Sequence, residues 1–261
     1  MPNNSELEAV ARRELTIFYV LDTSGSMTGT PVAKLNRAMN ETIEALKSLA
    51  KSNADAKLKV AVLEFNSGCK WVNKNGPEEM EDFLWEDLTA GGLTDMGAAL
   101  KELDSKLSRN AFLQSMTGAY LPVIIFMTDG FATDDYKKAL NEIRNNKWFA
   151  RATKIGFAIG DSPDMKMISE VVGNCEAVIK TDDLDLFSRL IKFASVTASM
   201  LASQSKTSND VPTGADVVKK YIEENNDDND IIPDKKEVEG YEPEETSTDD
   251  DDDDEWGGDW D

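Results

Sequence analysis

The chain of 261 residues carries 50 acidic against 28 basic side chains, a formal charge of -22, and is long enough for one sizeable core plus additional segments. That acidity excludes non-specific binding to DNA or RNA, whose phosphates it would repel. The opening MPNNSELEAVARREL lacks the apolar region of a secretion signal and no apolar run approaches bilayer length, so the sequence reads as a cytoplasmic protein without a membrane partner.

Residues 1–14 read as an N-terminal extension. The first strand follows at 15–21 (LTIFYVL), and further short, β-rich runs lie at 58–65 (LKVAVLEF), 121–127 (LPVIIFM), 154–159 (KIGFAI) and 177–179. These are apolar on both faces, as the central strands of a parallel sheet must be. Helical periodicity lies between them. A helix starts with Thr30 as N-cap and Pro31 in the first turn, carrying Leu35, Met39, Ile43, Leu46 and Leu49 on one face. The spacing predicts others over 96–107, 134–146, 165–172 and 184–202, with a small antiparallel edge strand over 69–73 after Asn66-Ser67-Gly68. This β-α alternation implies an α/β fold with a doubly wound sheet over residues 15–205. Cys69 and Cys175 are too few and too far apart for a metal or redox motif and read as thiols in or near the core.

From Glu223 onward there are 20 acids against Lys235 and Lys236, whereas residues 1–222 are nearly balanced at 30 acids against 26 bases. The segment 206–261 has almost no aliphatic periodicity and contains DDDDDDE, so it reads as a disordered acidic tail. Its Thr246, Ser247 and Thr248 are candidate phosphorylation sites. Its Trp256 and Trp260 stand out in a polyanion, and three roles stay open for the tail: an internal brake, an anchor for another protein, or simple solvation.

The chemistry concentrates where the first strand ends, in DTSGSM. In an open parallel sheet, ligands gather beyond the carboxyl ends of the strands where strand order reverses. Asp22 stands at one such end, and a glycine-assisted turn aims Ser24 and Ser26 into the same crevice. Asp129, in MTDGFATDD, ends another strand, and Thr94 follows Gly91 and Gly92 in a loop before a helix. Three segments thus deliver hard oxygens to one rim in a chain without histidine, a donor set suited to Mg²⁺. Taken singly, each residue also has an ordinary reading: turn and cap residues for Ser24 and Ser26, an N-cap for Thr94, a turn acid for Asp129. Asp95, Asp134 and Asp135 lie near the same rim and fit helix capping.

Together, Asp22-x-Ser24-x-Ser26, Thr94 and the Asp129 of TDG resemble the metal-ion-dependent adhesion site (MIDAS) of von Willebrand factor A domains. The phrases LDTSGSM, GGLTDMGAAL and FMTDGFATDD are most similar to the bacterial TerY-like group associated with tellurite-resistance-type stress systems. The resemblance implies a Rossmann-like fold. Within it Ser24 and Ser26 bind Mg²⁺ (or Mn²⁺) directly, Thr94 does so directly or through water, and Asp22 and Asp129 act mostly through hydrogen bonds to bound waters. It implies a non-enzymatic module that binds an Asp or Glu of a protein partner, in operons pairing such domains with a Ser/Thr kinase and a PP2C-type phosphatase. An FHA-domain reader would suit a phosphorylated tail. The competing reading is a Mg²⁺-dependent phosphohydrolase with Asp22 as nucleophile, but that chemistry needs an acid two residues later, where this chain has Ser24. Neither G-x-G-x-x-G nor G-x-x-x-x-G-K-[ST] occurs, which argues against a nucleotide site.

Overall fold

The structure, a computed structural model, describes residues 12–160, 162–181, 184–204 and 212–224. The expectations for residues 1–11, for Thr246, Ser247 and Thr248, and for Trp256 and Trp260 lie outside the described residues.

Strands rich in β-branched and aromatic residues on both faces require cover on both sides, and the fold supplies it. The strands are β1 (Arg13–Asp22), β2 (Ala56–Asn66), β3 (Gly68–Trp71), β4 (Glu78–Glu79), β5 (Val123–Thr128), β6 (Thr153–Ile159) and β7 (Val178–Thr181). They form one sheet in the order β3-β2-β1-β5-β6-β7, with β4 also on β2. β1 pairs in parallel with β2 and β5, and β6 and β7 continue the parallel run. β3 and the two-residue β4 are antiparallel to β2. Because β2 and β5 lie on opposite sides of β1, strand order reverses there, and the crevice falls beyond Asp22 and Thr128.

The helices are α1 (Thr30–Ser52), α2 (Met96–Lys106), α3 (Tyr136–Ile143), α4 (Lys147–Arg151), α5 (Met165–Val172), α6 (Leu184–Gln204) and α7 (Gly214–Glu224). Alternation along β1 assigns its two faces. Leu15, Ile17, Tyr19 and Leu21 join one core with Leu35, Met39 and Ile43 of α1, Leu190 and Ile191 of α6, and Val217 and Tyr221 of α7. Phe18 and Val20 join the other, with Leu100 of α2, Leu140 of α3, Phe149 of α4 and Ile168 of α5. A mostly parallel sheet covered by helices on both faces is the expected Rossmann-like architecture.

Several boundaries differ from the sequence reading. β1 starts at Arg13, inside the segment 1–14 read as an N-terminal extension, because Arg13 and Glu14 already pair with Ala56 and Lys57 of β2, and the edge strand is Gly68–Trp71 rather than 69–73. Gly29, at φ 86°, holds the N-cap of α1, so Thr30 is its first residue. The helix expected over 134–146 is split. Asn146 accepts from Trp148 N at 2.9 Å and donates to Asp104 Oδ1 at 2.8 Å, so it ends one helical segment and starts α4. The packed body also runs beyond residue 205: α7 lies inside the segment read as acidic tail, with Val217 and Val218 essentially buried. Its GADVVKKY sequence has an apolar stripe that is swamped when composition is averaged over 206–261. A Cβ on Gly214 would fall 1.7 Å from the Lys154 carbonyl oxygen, so only glycine permits this contact between α7 and β6.

Candidate metal centre

The site is built from three loops at the carboxyl edge of the sheet. Asp22 is fully buried at the end of β1. Its Oδ1 accepts from Ser24 N at 2.8 Å, which folds the chain back into the single 3-10 turn Gly25–Met27. Its Oδ2 accepts from the Thr128 hydroxyl at 2.5 Å, tying the ends of β1 and β5 together. Beyond it the Ser24 and Ser26 hydroxyl oxygens are 3.0 Å apart, and Ser26 donates to Asp129 Oδ1 at 2.7 Å. The oxygens of Asp22, Ser24, Ser26 and Asp129 therefore converge between the two loops.

The third loop is clamped onto the first. Gly91 N donates to Thr23 O at 2.8 Å, and Gly25 N donates to Gly92 O at 3.0 Å. This approach depends on glycine: a Cβ on Gly92, where φ is +88°, would lie 2.6 Å from Ser67 Oγ, and one on Gly25 would lie 3.2 Å from Gly92 O. Thr94 follows, buried, its N donating to the Thr133 hydroxyl at 3.0 Å and its O accepting from Thr133 N at 2.8 Å. Its own hydroxyl has no hydrogen-bond partner among the described residues.

The neighbouring acids serve the scaffold. Asp95 occupies the N-cap position of α2 but makes no side-chain capping bond there. Its carboxylate accepts from Gly68 N at 2.7 Å and from the Thr133 hydroxyl at 3.2 Å. Asp134 caps α2 from outside, accepting from Gly97 N and Ala98 N, both at 2.9 Å. Asp135 is the N-cap residue of α3 without a side-chain bond to it. Sequence reasoning missed Thr128 and Thr133. The first was legible in principle, because Thr128 lies one position past the Leu21–Met127 pair and so beside Asp22.

Electrostatically the crevice is short of positive charge. Burial pushes the Asp22 carboxyl above its ordinary value, the bonds from Thr128 and Ser24 pull it back, and the Asp129 charge raises it further. Burial also raises Asp129, against the bond from Ser26. Among the described residues no three His, Cys, Asp or Glu side chains gather as metal ligands. Any cation held here must therefore draw on hydroxyl oxygens. The donor set fits a hard divalent ion in that way, since the Ser24 and Ser26 hydroxyls lie beside carboxylates that otherwise repel each other.

The sequence profile of the von Willebrand factor type A domain matches residues 16–191. No curated protein sequence matches the chain. Among solved structures it is similar to a von Willebrand factor type A protein from Catenulispora acidiphila, at 17% identity and TM-score 0.52, covering 71% of this chain and 42% of that one. It is similar also to the pilus adhesin SpaC from Lactobacillus rhamnosus GG, at 11% identity and TM-score 0.54, covering 70% and 30%. A third is the ArnB paralog VWA2 from Sulfolobus acidocaldarius, at 10% identity and TM-score 0.51, covering 70% and 45%. The chain thus spans less than half the length of each, and at these identities the likeness speaks for the fold alone. With the profile covering most of the chain and the sheet order and helix layers in agreement, the chain belongs to the von Willebrand factor type A domain family.

Proposed function

We propose that the crevice is a MIDAS holding one Mg²⁺ or Mn²⁺, and that the protein is a non-enzymatic module binding an Asp or Glu of a partner protein. The carrying observation is the convergence of the Asp22, Ser24, Ser26 and Asp129 oxygens between two loops, with the loop that carries Thr94 clamped onto the first by backbone bonds. In this reading Ser24, Ser26 and Thr94 hold the ion, while Asp22 and Asp129 orient its waters. A bound divalent cation supplies an open coordination position with a preference for one more anionic oxygen. The protein's part is to keep the hydroxyls in place: Asp22 fixes the Ser24 turn and Asp129 accepts the Ser26 hydroxyl hydrogen bond, leaving oxygen lone pairs free to face the ion. Against the phosphohydrolase alternative, Asp22 is fully buried and both of its oxygens already accept hydrogen bonds, so neither oxygen is exposed to attack the phosphorus of an external substrate.

The TerY-like resemblance directs the search for partners to a cytoplasmic Ser/Thr kinase, a PP2C-type phosphatase or an FHA-domain protein in a stress-response setting. The test is binding of the full chain to an array of Asp- and Glu-containing peptides in Mg²⁺ and in EDTA. Capture in Mg²⁺ that is lost in EDTA and with Ser26→Ala supports the reading. Capture indifferent to the metal, or turnover of a phosphomonoester that depends on Asp22, refutes it.

A further inference from the structure

The crevice is polar at its floor and apolar at its rim. Among the described residues five large hydrophobic side chains are exposed, and two of them flank the site: Leu93 at 55% and Phe131 at 64% exposure. Leu93 directly precedes Thr94, and Phe131 follows Asp129 and Gly130. The two segments are joined through the Thr94–Thr133 backbone bond. Gly130 also lies against Ser26, since a Cβ there would be 3.5 Å from Ser26 Oγ. The surface therefore fits a ligand that brings a carboxylate together with large apolar groups.

The chain contains such a ligand. Residues 255–261, EWGGDWD, set three carboxylates among two indoles, with a Gly-Gly pair between them. The other tryptophans, Trp71, Trp85 and Trp148, pack against the two cores. From Glu224, where the described body ends, a further 37 residues lead to Asp261. On the sequence reading of 206–261 as a disordered tail, coil scaling of about 5–6 Å × √n gives such a length a dimension of roughly 30–36 Å, comparable with the width of a domain. A tethered segment of this reach has an effective concentration near millimolar.

We infer that the segment 255–261 is an internal ligand of the crevice: one of its carboxylates takes the open position while Trp256 and Trp260 cover Leu93 and Phe131. This rests on the metal reading above and adds to it a built-in competitor, so that an external partner must displace the protein's own tail. The open coordination position selects the carboxylate, and the indoles supply the specificity.

The test uses the full chain labelled with 5-fluorotryptophan, with the two tail fluorines assigned by Trp256→Phe and Trp260→Phe. Mg²⁺ is titrated by ¹⁹F NMR and, in parallel, by calorimetry. The expected result is a shift of at least one tail fluorine that saturates together with the calorimetric site and does not depend on protein concentration. Ser24→Ala removes both signals, while the double variant Leu93→Ser/Phe131→Ser keeps the heat and loses the shift. Heat without a tail shift overturns the inference and leaves the metal reading standing, whereas no heat in the parent protein overturns both. A shift that survives Ser24→Ala means that the acidic run itself holds the ion. One that survives the rim variant means that the indoles dock elsewhere, and one that grows with protein concentration means that a second copy supplies the segment. Each of these three also overturns the inference.

Discussion

Two threonines at the crevice have opposite roles, and this is where the account is sharpest. The Thr128 hydroxyl donates to the buried Asp22 Oδ2, so Thr128→Val leaves a buried carboxylate oxygen without its donor and costs about 1–3 kcal/mol of stability. The Thr94 hydroxyl has no partner among the described residues, so Thr94→Val keeps its shape, removes no hydrogen bond and costs less metal-free stability than Thr128→Val. Addition of Mg²⁺ narrows the difference. Ligand present at about 100-fold over its dissociation constant stabilises by about 2.7 kcal/mol, and a tenfold weaker site in Thr94→Val forfeits about half of that gain. Thermal melts of both variants in EDTA and in Mg²⁺ check the pair; a large loss for Thr94→Val in EDTA would mean that its hydroxyl serves the fold. Asp22, Ser24, Ser26, Thr94 and Asp129 were all legible as candidates, because strand ends and glycine-rich loops are local features. Thr133 was not, because its bonds to Thr94 and Asp95 join segments 38 and 39 residues apart.

The elements show the same division between local and distant causes. Strands β1, β2, β5 and β6 and helices α2, α5 and α6 are written in periodicity and appear within two residues of expectation. The broken helix at 134–146 depends on what Asn146 meets across the fold, Asp104 and the Leu107 carbonyl, which no local pattern records. α7 was hidden by the acidity of its surroundings. It is held by the Gly214–Lys154 approach, a Thr153 hydroxyl bond to Pro212 O at 2.7 Å, and a Phe193–Tyr221 ring contact at 4.8 Å. Gly214→Ala is expected to release α7, exposing amides 214–221 to hydrogen exchange at least tenfold faster while protection in β1 and β5 persists. Unchanged exchange in α7 would refute its anchoring through this contact.

At the scale of the whole molecule the two ends of the sheet are separable, one for ligands and one for stability. Near the amino end of β6 the Lys154 ammonium donates to Phe149 O at 2.9 Å, and burial, with Arg144 adding to it, lowers its pKa to about 8 from 10.5. Below pH 8 the amine is protonated in both folded and unfolded chains. Between pH 8 and 10.5 the unfolded chain holds the extra proton, so this group makes stability rise with pH, by at most about 1.4 kcal/mol per pH unit. Burial raises Cys69 to about 11, which acts in the opposite direction above pH 9, but it is common to parent and Lys154→Met. Denaturant unfolding of the two across pH 7–10 therefore isolates the lysine: the parent gains on the variant above pH 8, and parallel curves would contradict the assignment. Crevice chemistry should be untouched by that substitution. The central claim, one divalent ion held by the Ser24, Ser26 and Thr94 hydroxyls, is tested most directly by electron paramagnetic resonance of free Mn²⁺ titrated into the full chain, with Mg²⁺ as competitor. The account predicts one Mg²⁺-displaceable Mn²⁺ per chain in the parent and in Lys154→Met, weakened at least tenfold in Ser24→Ala and in Thr94→Val; equal binding by all four proteins would contradict it.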